Sequence, residues 1–213
     1  MSDRYDDSLV SEGQFEPGSN GLVLRNLRGI VDPAAMDRLE TAELARTVDG
    51  LINEVDRDHR FFAHDICHMH ERWLVGIYDW SGRYRSVNMQ KDGFPFAAAS
   101  RIERLMSLLE ADALKRCTPC RFQNTDEIAH ARAEVHVELV LIHPFRDGNG
   151  RIARLLSTLM ALQAGLPLLD FSSIAGAERK NYFAAVQAGI DRYYAPMCAI
   201  FAQIISATPA ARK

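Results

Sequence analysis

The 213-residue chain carries 25 Lys and Arg against 28 Asp and Glu, a formal net charge of −3 that does not favour nonspecific nucleic-acid binding. With 47% hydrophobic and 25% charged residues it has the makeup of one globular domain with a sizeable core. The longest apolar stretch, Leu155 to Leu169, is interrupted by Ser157, Thr158 and Gln163, and the N-terminus is polar and acidic, so neither a membrane span nor a signal peptide is expected.

In chain order, Ser8-Leu9-Val10-Ser11-Glu12-Gly13 places a serine four residues before a Glu-Gly pair, a spacing that occurs only here. Glu16-Pro17-Gly18-Ser19-Asn20-Gly21 reads as a turn-rich linker, so residues 1–30 are set apart from a body over 31–213. Asp32-Pro33 opens a helix, with Met36, Leu39, Leu44, Val48, Leu51, Ile52 and Val55 at the apolar spacing of one or two helices. Phe61 to Ile77 predicts another. Its His64, Cys67, His68 and His70 lie close together but fit no established zinc spacing, and they read as core and surface residues. Turn residues at Ser81-Gly82 and Asp92-Gly93 bracket a β-prone run between Trp80 and Phe94, which predicts a hairpin.

Ala97 to Leu114 predicts a further helix. Cys117-Thr118-Pro119-Cys120 could be a redox pair or half a metal site, but nothing supplies a partner half or a thioredoxin-like setting, so free thiols are the simplest reading. Ile128, Ala131, Val135, Leu139 and Ile142 recur at steps of three and four, behind an Asn124/Glu127 capping box, and predict a helix over 124–142. Helices are also expected over 152–163, ended by Gly165-Leu166-Pro167, over 178–188 and over 197–205.

The stretch between the first two of these helices is the most informative: His143-Pro144-Phe145-Arg146-Asp147-Gly148-Asn149-Gly150-Arg151-Ile152-Ala153-Arg154. Gly148, Asn149 and Gly150 can adopt positive φ and turn successive amides into one concavity, and the helix behind them presents an N-terminal dipole to an anion. Arg151 and Arg154 share a helix face and can meet neighbouring phosphates. Asp147 would repel bare phosphate, which suits a carboxylate holding a bridging divalent cation. His143 can take a proton near neutral pH. No Walker A run is present. Gly148-x-Gly150-x-x-Ala153 formally fits a dinucleotide fingerprint, but that fingerprint needs a preceding strand where the periodicity predicts a helix.

The pattern His-Pro-Phe-x-Asp-Gly-Asn-Gly-Arg-x-x-Arg resembles in full the signature of the Fic (filamentation induced by cAMP) family, with a chance probability on the order of 10⁻⁹. The resemblance implies an all-α, mainly helical Fic fold with one β-hairpin flap at the active site. It also implies adenylyl transfer, in which a target Ser, Thr or Tyr hydroxyl attacks the α-phosphorus of ATP with Mg²⁺ present. By motif position His143 would be the base and Asp147 the Mg²⁺ ligand. The amides of Gly148 to Gly150 and the Asn149 side chain would cradle the α- and β-phosphates, Arg151 would bind the β-phosphate and Arg154 the γ-phosphate. Phe145 would anchor the loop in the core. A phosphorylating branch of the family has lysine at the position of Gly150, and the glycine argues against it.

The same resemblance makes Ser86, Val87, Asn88 and Met89 the flap residues that register a target segment by main-chain pairing. It makes Tyr182 a neighbour of the adenine, although a core role is equally open, and Ile190 stands where an asparagine is often found near that pocket. Ser8 and Glu12 match the family's inhibitory pattern, in which the glutamate would pair with Arg154 and block the γ-phosphate site. Removal of AMP, another donor such as UTP or CDP-choline, or a nucleotide-binding or toxin–antitoxin role by complex formation are the rival readings. A target protein on the flap, self-modification and a homo-oligomer are the partners expected, with no nucleic acid and no membrane. A cytoplasmic location is expected, although Fic effectors can also be exported without a cleaved signal.

Overall fold

The structure, a computed structural model, describes residues 11–174 and 178–208. Ser8 lies outside them. Helices are α1 (Pro33–Glu54), α2 (Ala63–Leu74), α3 (Ile102–Leu109), α4 (Lys115–Cys117), α5 (Thr125–Ile142), α6 (Asn149–Gln163), α7 (Arg179–Ala188) and α8 (Ala195–Ala207). A π-helical segment, Glu110–Leu114, joins α3 to α4 without a break. Among the described residues the fold is all-α apart from one antiparallel hairpin, β1 (Gln90–Lys91) and β2 (Phe94–Pro95).

Local chemistry sets these boundaries. Asp32 accepts hydrogen bonds from the amides of Ala34 and Ala35, and Pro33 supplies the first helical φ of α1. Asn124 Oδ1 accepts from the Glu127 amide at 2.8 Å and starts α5. Helix α6 begins three residues earlier than periodicity suggested, because only Gly148 takes positive φ (79°) while Asn149 and Gly150 are already helical.

Helix α5 is the centre of the molecule, packed by α3, α6, α7 and α8. Buried residues lie on nearly all its sides, so it reads as a core helix rather than an amphipathic one. Among the described residues no helix is long and apolar enough to cross a membrane.

Residues 11–31 run back and forth against the body. Phe15 and Leu24 form an antiparallel bridge across the turn at Gly18, Asn20 and Gly21, all of positive φ. The Leu27 amide donates to the Ile77 carbonyl at 2.8 Å, and Arg28 Nε to that of Gly76 at 2.7 Å.

Candidate active site

The signature stretch forms a loop between the C-terminus of α5 and the N-terminus of α6. His143 ends α5 in the left-handed conformation (φ 52°, ψ 59°), a strained choice for a residue with a Cβ. Its surroundings over-determine that conformation. Arg85 Nε donates to the His143 carbonyl at 2.7 Å, and the ring of Phe96, just after β2, stacks on the imidazole with centroids 3.6 Å apart. Nδ1 lies 3.2 Å from the Val140 carbonyl, which can only accept, so Nδ1 carries the proton. Nε2 is left as the basic nitrogen, with no hydrogen-bond partner among the described residues. Burial pushes the His143 pKa down to about 4, with Arg85 adding to the effect and the Val140 carbonyl and Asp147 opposing it. The imidazole is therefore neutral at physiological pH.

His143 lines a cavity of about 590 Å³ whose walls come from four places. Met89, Gln90, Lys91 and Phe96 come from the flap, Asp147 to Arg151 with Arg154 from the loop and α6, and Tyr182 and Phe183 from α7. Phe171 and Ile174, between α6 and α7, close one side. The amides of Asn149, Gly150 and Arg151 open this end of α6, because the first intrahelical bond is Ile152 N–H to Gly148 O and no side chain caps the helix. The Gly148 amide is already taken by Asp147 Oδ1 at 2.6 Å. Asp147 Oδ2 has only a long 3.4 Å contact with Arg151, and the side chain is 49% exposed. One half-free carboxylate oxygen beside anion-binding amides fits a cation shared with bound phosphates. Among the described residues no group of three or more His, Cys, Asp or Glu could hold a metal without them.

The structure shows what several of the expected residues touch. The Asn149 side chain is buried and spans its own loop, accepting from the Phe145 amide at 2.8 Å and donating to the Phe145 carbonyl at 2.7 Å. It shapes the cradle instead of reaching into it. Tyr182 is only 6% exposed and hydrogen-bonds His136 Nε2 at 2.8 Å, so its polar end belongs to the core. Ile190 is exposed and outside the cavity lining.

The hairpin lies further along the chain than Ser86 to Met89. Val87 is buried and its carbonyl accepts from Arg85, and Asn88 Oδ1 accepts from the Ala99 amide. Met89 alone of the four lines the cavity, its carbonyl accepting from the Phe96 amide at 3.1 Å. The expected Glu12–Arg154 pair is not formed. The Glu12 carboxylate bonds the Ser86 amide and hydroxyl, and among the described residues the Arg154 guanidinium makes no hydrogen bond or ion pair. Arg154 lies over the bare face of Gly150, where an added Cβ would come 3.4 Å from Nη1.

Three site residues escaped the sequence reading. Glu40, buried on α1, accepts from Arg151 Nη1 and from the Tyr78 hydroxyl, each at 2.6 Å, and holds Arg151 flat on Trp73. His70 stacks on Phe145, accepts from the Gly82 amide through Nδ1 and donates from Nε2 to the Asp147 carbonyl. Lys91 reaches over Phe183, its ammonium pKa lowered by burial and by Arg179. Cys117 and Cys120 are free and buried, their thiols pushed up to about 12 and 11 by burial, which leaves them protonated and unreactive.

Fold and site together make a helical domain in which one hairpin, an uncapped helix N-terminus and a neutral histidine border a single cavity. The sequence model of the Fic/DOC family matches residues 60–161, the part that holds this loop. Protein adenylyltransferase VbhT of Bartonella schoenbuchensis is 30% identical over 81% of this chain, which spans only 34% of that relative. The probable protein adenylyltransferase y4lH of Sinorhizobium fredii is 28% identical over 93% of this chain and 98% of its own length. Among solved structures, the N-terminal Fic domain of a VirB-translocated Bep effector protein from Bartonella quintana, with bound ADP, is 27% identical. It superposes with a TM-score of 0.74 over 91% of this chain and 94% of the other.

Proposed function

We propose that the chain is a protein adenylyltransferase that moves AMP from ATP to a hydroxyl of a target protein. One observation carries the reading: a neutral histidine whose Nε2 has no partner among the described residues shares a cavity with an uncapped helix N-terminus and with Arg154, likewise unpaired among them. The phosphates of ATP would lie along the amides of Asn149, Gly150 and Arg151, with the Arg151 and Arg154 guanidinium groups on the outer phosphates. Asp147 would hold Mg²⁺ against those phosphates, where the cation offsets the charge of the leaving pyrophosphate. The target hydroxyl oxygen forms a bond to the α-phosphorus as its proton passes to His143 Nε2. The bond from the α-phosphorus to the β-bridging oxygen breaks, and pyrophosphate departs. Two relatives named as adenylyltransferases and a solved relative carrying ADP support an adenine donor.

The target segment would pair with the exposed edge of the β1–β2 hairpin, whose Phe96 end rests on His143. Inhibition by Glu12 at Arg154 is not part of this reading, because that carboxylate is engaged elsewhere.

The test is transfer of label from ATP to proteins of a cell lysate. Label at the α-phosphate should move to a target and label at the γ-phosphate should not, and His143→Ala should lower transfer by about 10³-fold or more. Transfer of γ-label, or full activity in His143→Ala, would overturn the proposal.

A further inference from the structure

Glu12 is a buried carboxylate, 8% exposed, in a single 3-10 turn, Ser11–Gly13. It touches both the root of the flap and the signature loop, and none of the residues assigned above to the nucleotide. Its Oε1 accepts from the Ser86 amide at 2.6 Å and from the Ser86 hydroxyl, where the chain enters the flap. Its carbonyl accepts from Nε of Arg146, inside the signature loop, at 2.8 Å.

Between these contacts sits Arg85, a fully buried arginine that donates only to carbonyls. It bonds those of His143, Val87, Ala97 and Ile142, while its amide bonds that of Pro144. Burial works against its charge, and Glu12 is the anion that favours it, opposed by Arg146. Among the described residues Glu12 is thus the carboxylate that offsets the Arg85 charge, with Arg146 a second cation beside it.

We propose that Glu12 is a positioning residue for target transfer. It ties the root of the flap to the signature loop, so that a segment paired on the hairpin presents its hydroxyl to His143. The direction is opposite to that of an inhibitor: loss of Glu12 lowers transfer.

The inference rests on the adenylyl-transfer reading for its activity arm but not for its structural arm. The experiment uses the full chain as wild type, Glu12→Ala, Glu12→Gln and Ser86→Ala. Amide hydrogen exchange follows residues 84–96 against the core of α6, alongside affinity for a non-hydrolysable ATP analogue and transfer of α-label. In Glu12→Ala, exchange over 84–96 should rise about tenfold or more while α6 is unchanged, since charge-assisted bonds to a buried carboxylate are lost.

Target kcat/KM should fall by a similar factor with analogue affinity held within about twofold. Glu12→Gln keeps an acceptor oxygen and should recover part of both effects, and Ser86→Ala should reproduce a smaller loss. Greater transfer in Glu12→Ala would overturn the proposal, as would unchanged exchange at the flap. If wild type transfers no label, the adenylyl reading fails on its own, and the exchange comparison still decides whether Glu12 holds the flap.

Discussion

The Arg151 guanidinium shows how a side chain of the candidate site depends on one far away in sequence. Glu40 lies 111 residues before it, and on α1 a glutamate between apolar positions looks like part of a solvated face. In the fold it is 5% exposed, its carboxylate satisfied by Arg151 and Tyr78. Removing Glu40 leaves Arg151 only its long 3.4 Å contact with Asp147 at the edge of the core. Glu40→Ala should therefore lower unfolding stability by about 2 kcal/mol, less than for a fully enclosed pair because Arg151 is one quarter exposed. Glu40→Gln, which still accepts from Tyr78, should keep most of the stability. It should nonetheless weaken binding of an ATP analogue several-fold, because Arg151 is no longer held in place. Urea titration and calorimetric binding separate the two effects, and equal losses in both variants would assign Glu40 to the core alone. The residues legible in the sequence were those whose chemistry is local: His143, Asp147, Arg151 and Arg154 stand in one run of the chain. Glu40, His70 and Phe96 act on that run from distant segments, and no local spacing ties them to it.

At the level of elements, the helices around the loop were legible because their apolar periodicity, caps and breaks are written in consecutive residues. The flap was placed several residues early for a related reason. Turn signals occur at Ser81-Gly82 and at Asp92-Gly93, and only the second, with φ of 51° and 80°, closes a two-residue hairpin. The stretch before it is drawn into the core by Arg85 and Val87, a tertiary effect that β-propensity does not report. The loop-to-helix junction depends on one glycine. Gly148 has φ 79°, and a Cβ there would stand 2.5 Å from the buried Trp73 ring, so strain and clash add. Gly148→Ala should cost about 3 kcal/mol and release the signature loop. Gly150 is helical, and its Cβ would meet only the end of Arg154. Gly150→Ala should leave the melting temperature nearly unchanged while shifting nucleotide affinity. Comparable melting losses in the two variants would show that both glycines serve backbone conformation alone.

Across the whole molecule, three histidines sit along the axis from the flap root to the core, and burial lowers all of them. His70 and His143 are pushed down to about 4 and His136 to about 3, each first of all by desolvation. His70 is fixed by the Gly82 amide and the Asp147 carbonyl, His136 by Tyr182, and His143 by Val140, so each holds a neutral tautomer that organises backbone or core. In the unfolded chain these rings protonate near the ordinary value of about 6.5. Above that pH both states are neutral and the histidines leave stability independent of pH. As the pH falls from about 6.5 towards 4 the unfolded chain takes up protons that the native state refuses, so stability falls. With up to three protons involved, the slope should approach about 4 kcal/mol per pH unit near pH 5. Urea midpoints measured from pH 8 downward should stay level to about 6.5 and then drop steeply, and His136→Gln should flatten the drop by one proton. Level midpoints down to pH 5 would mean that the rings protonate in place, and the neutral state assigned to His143 would then fail along with the acid lability.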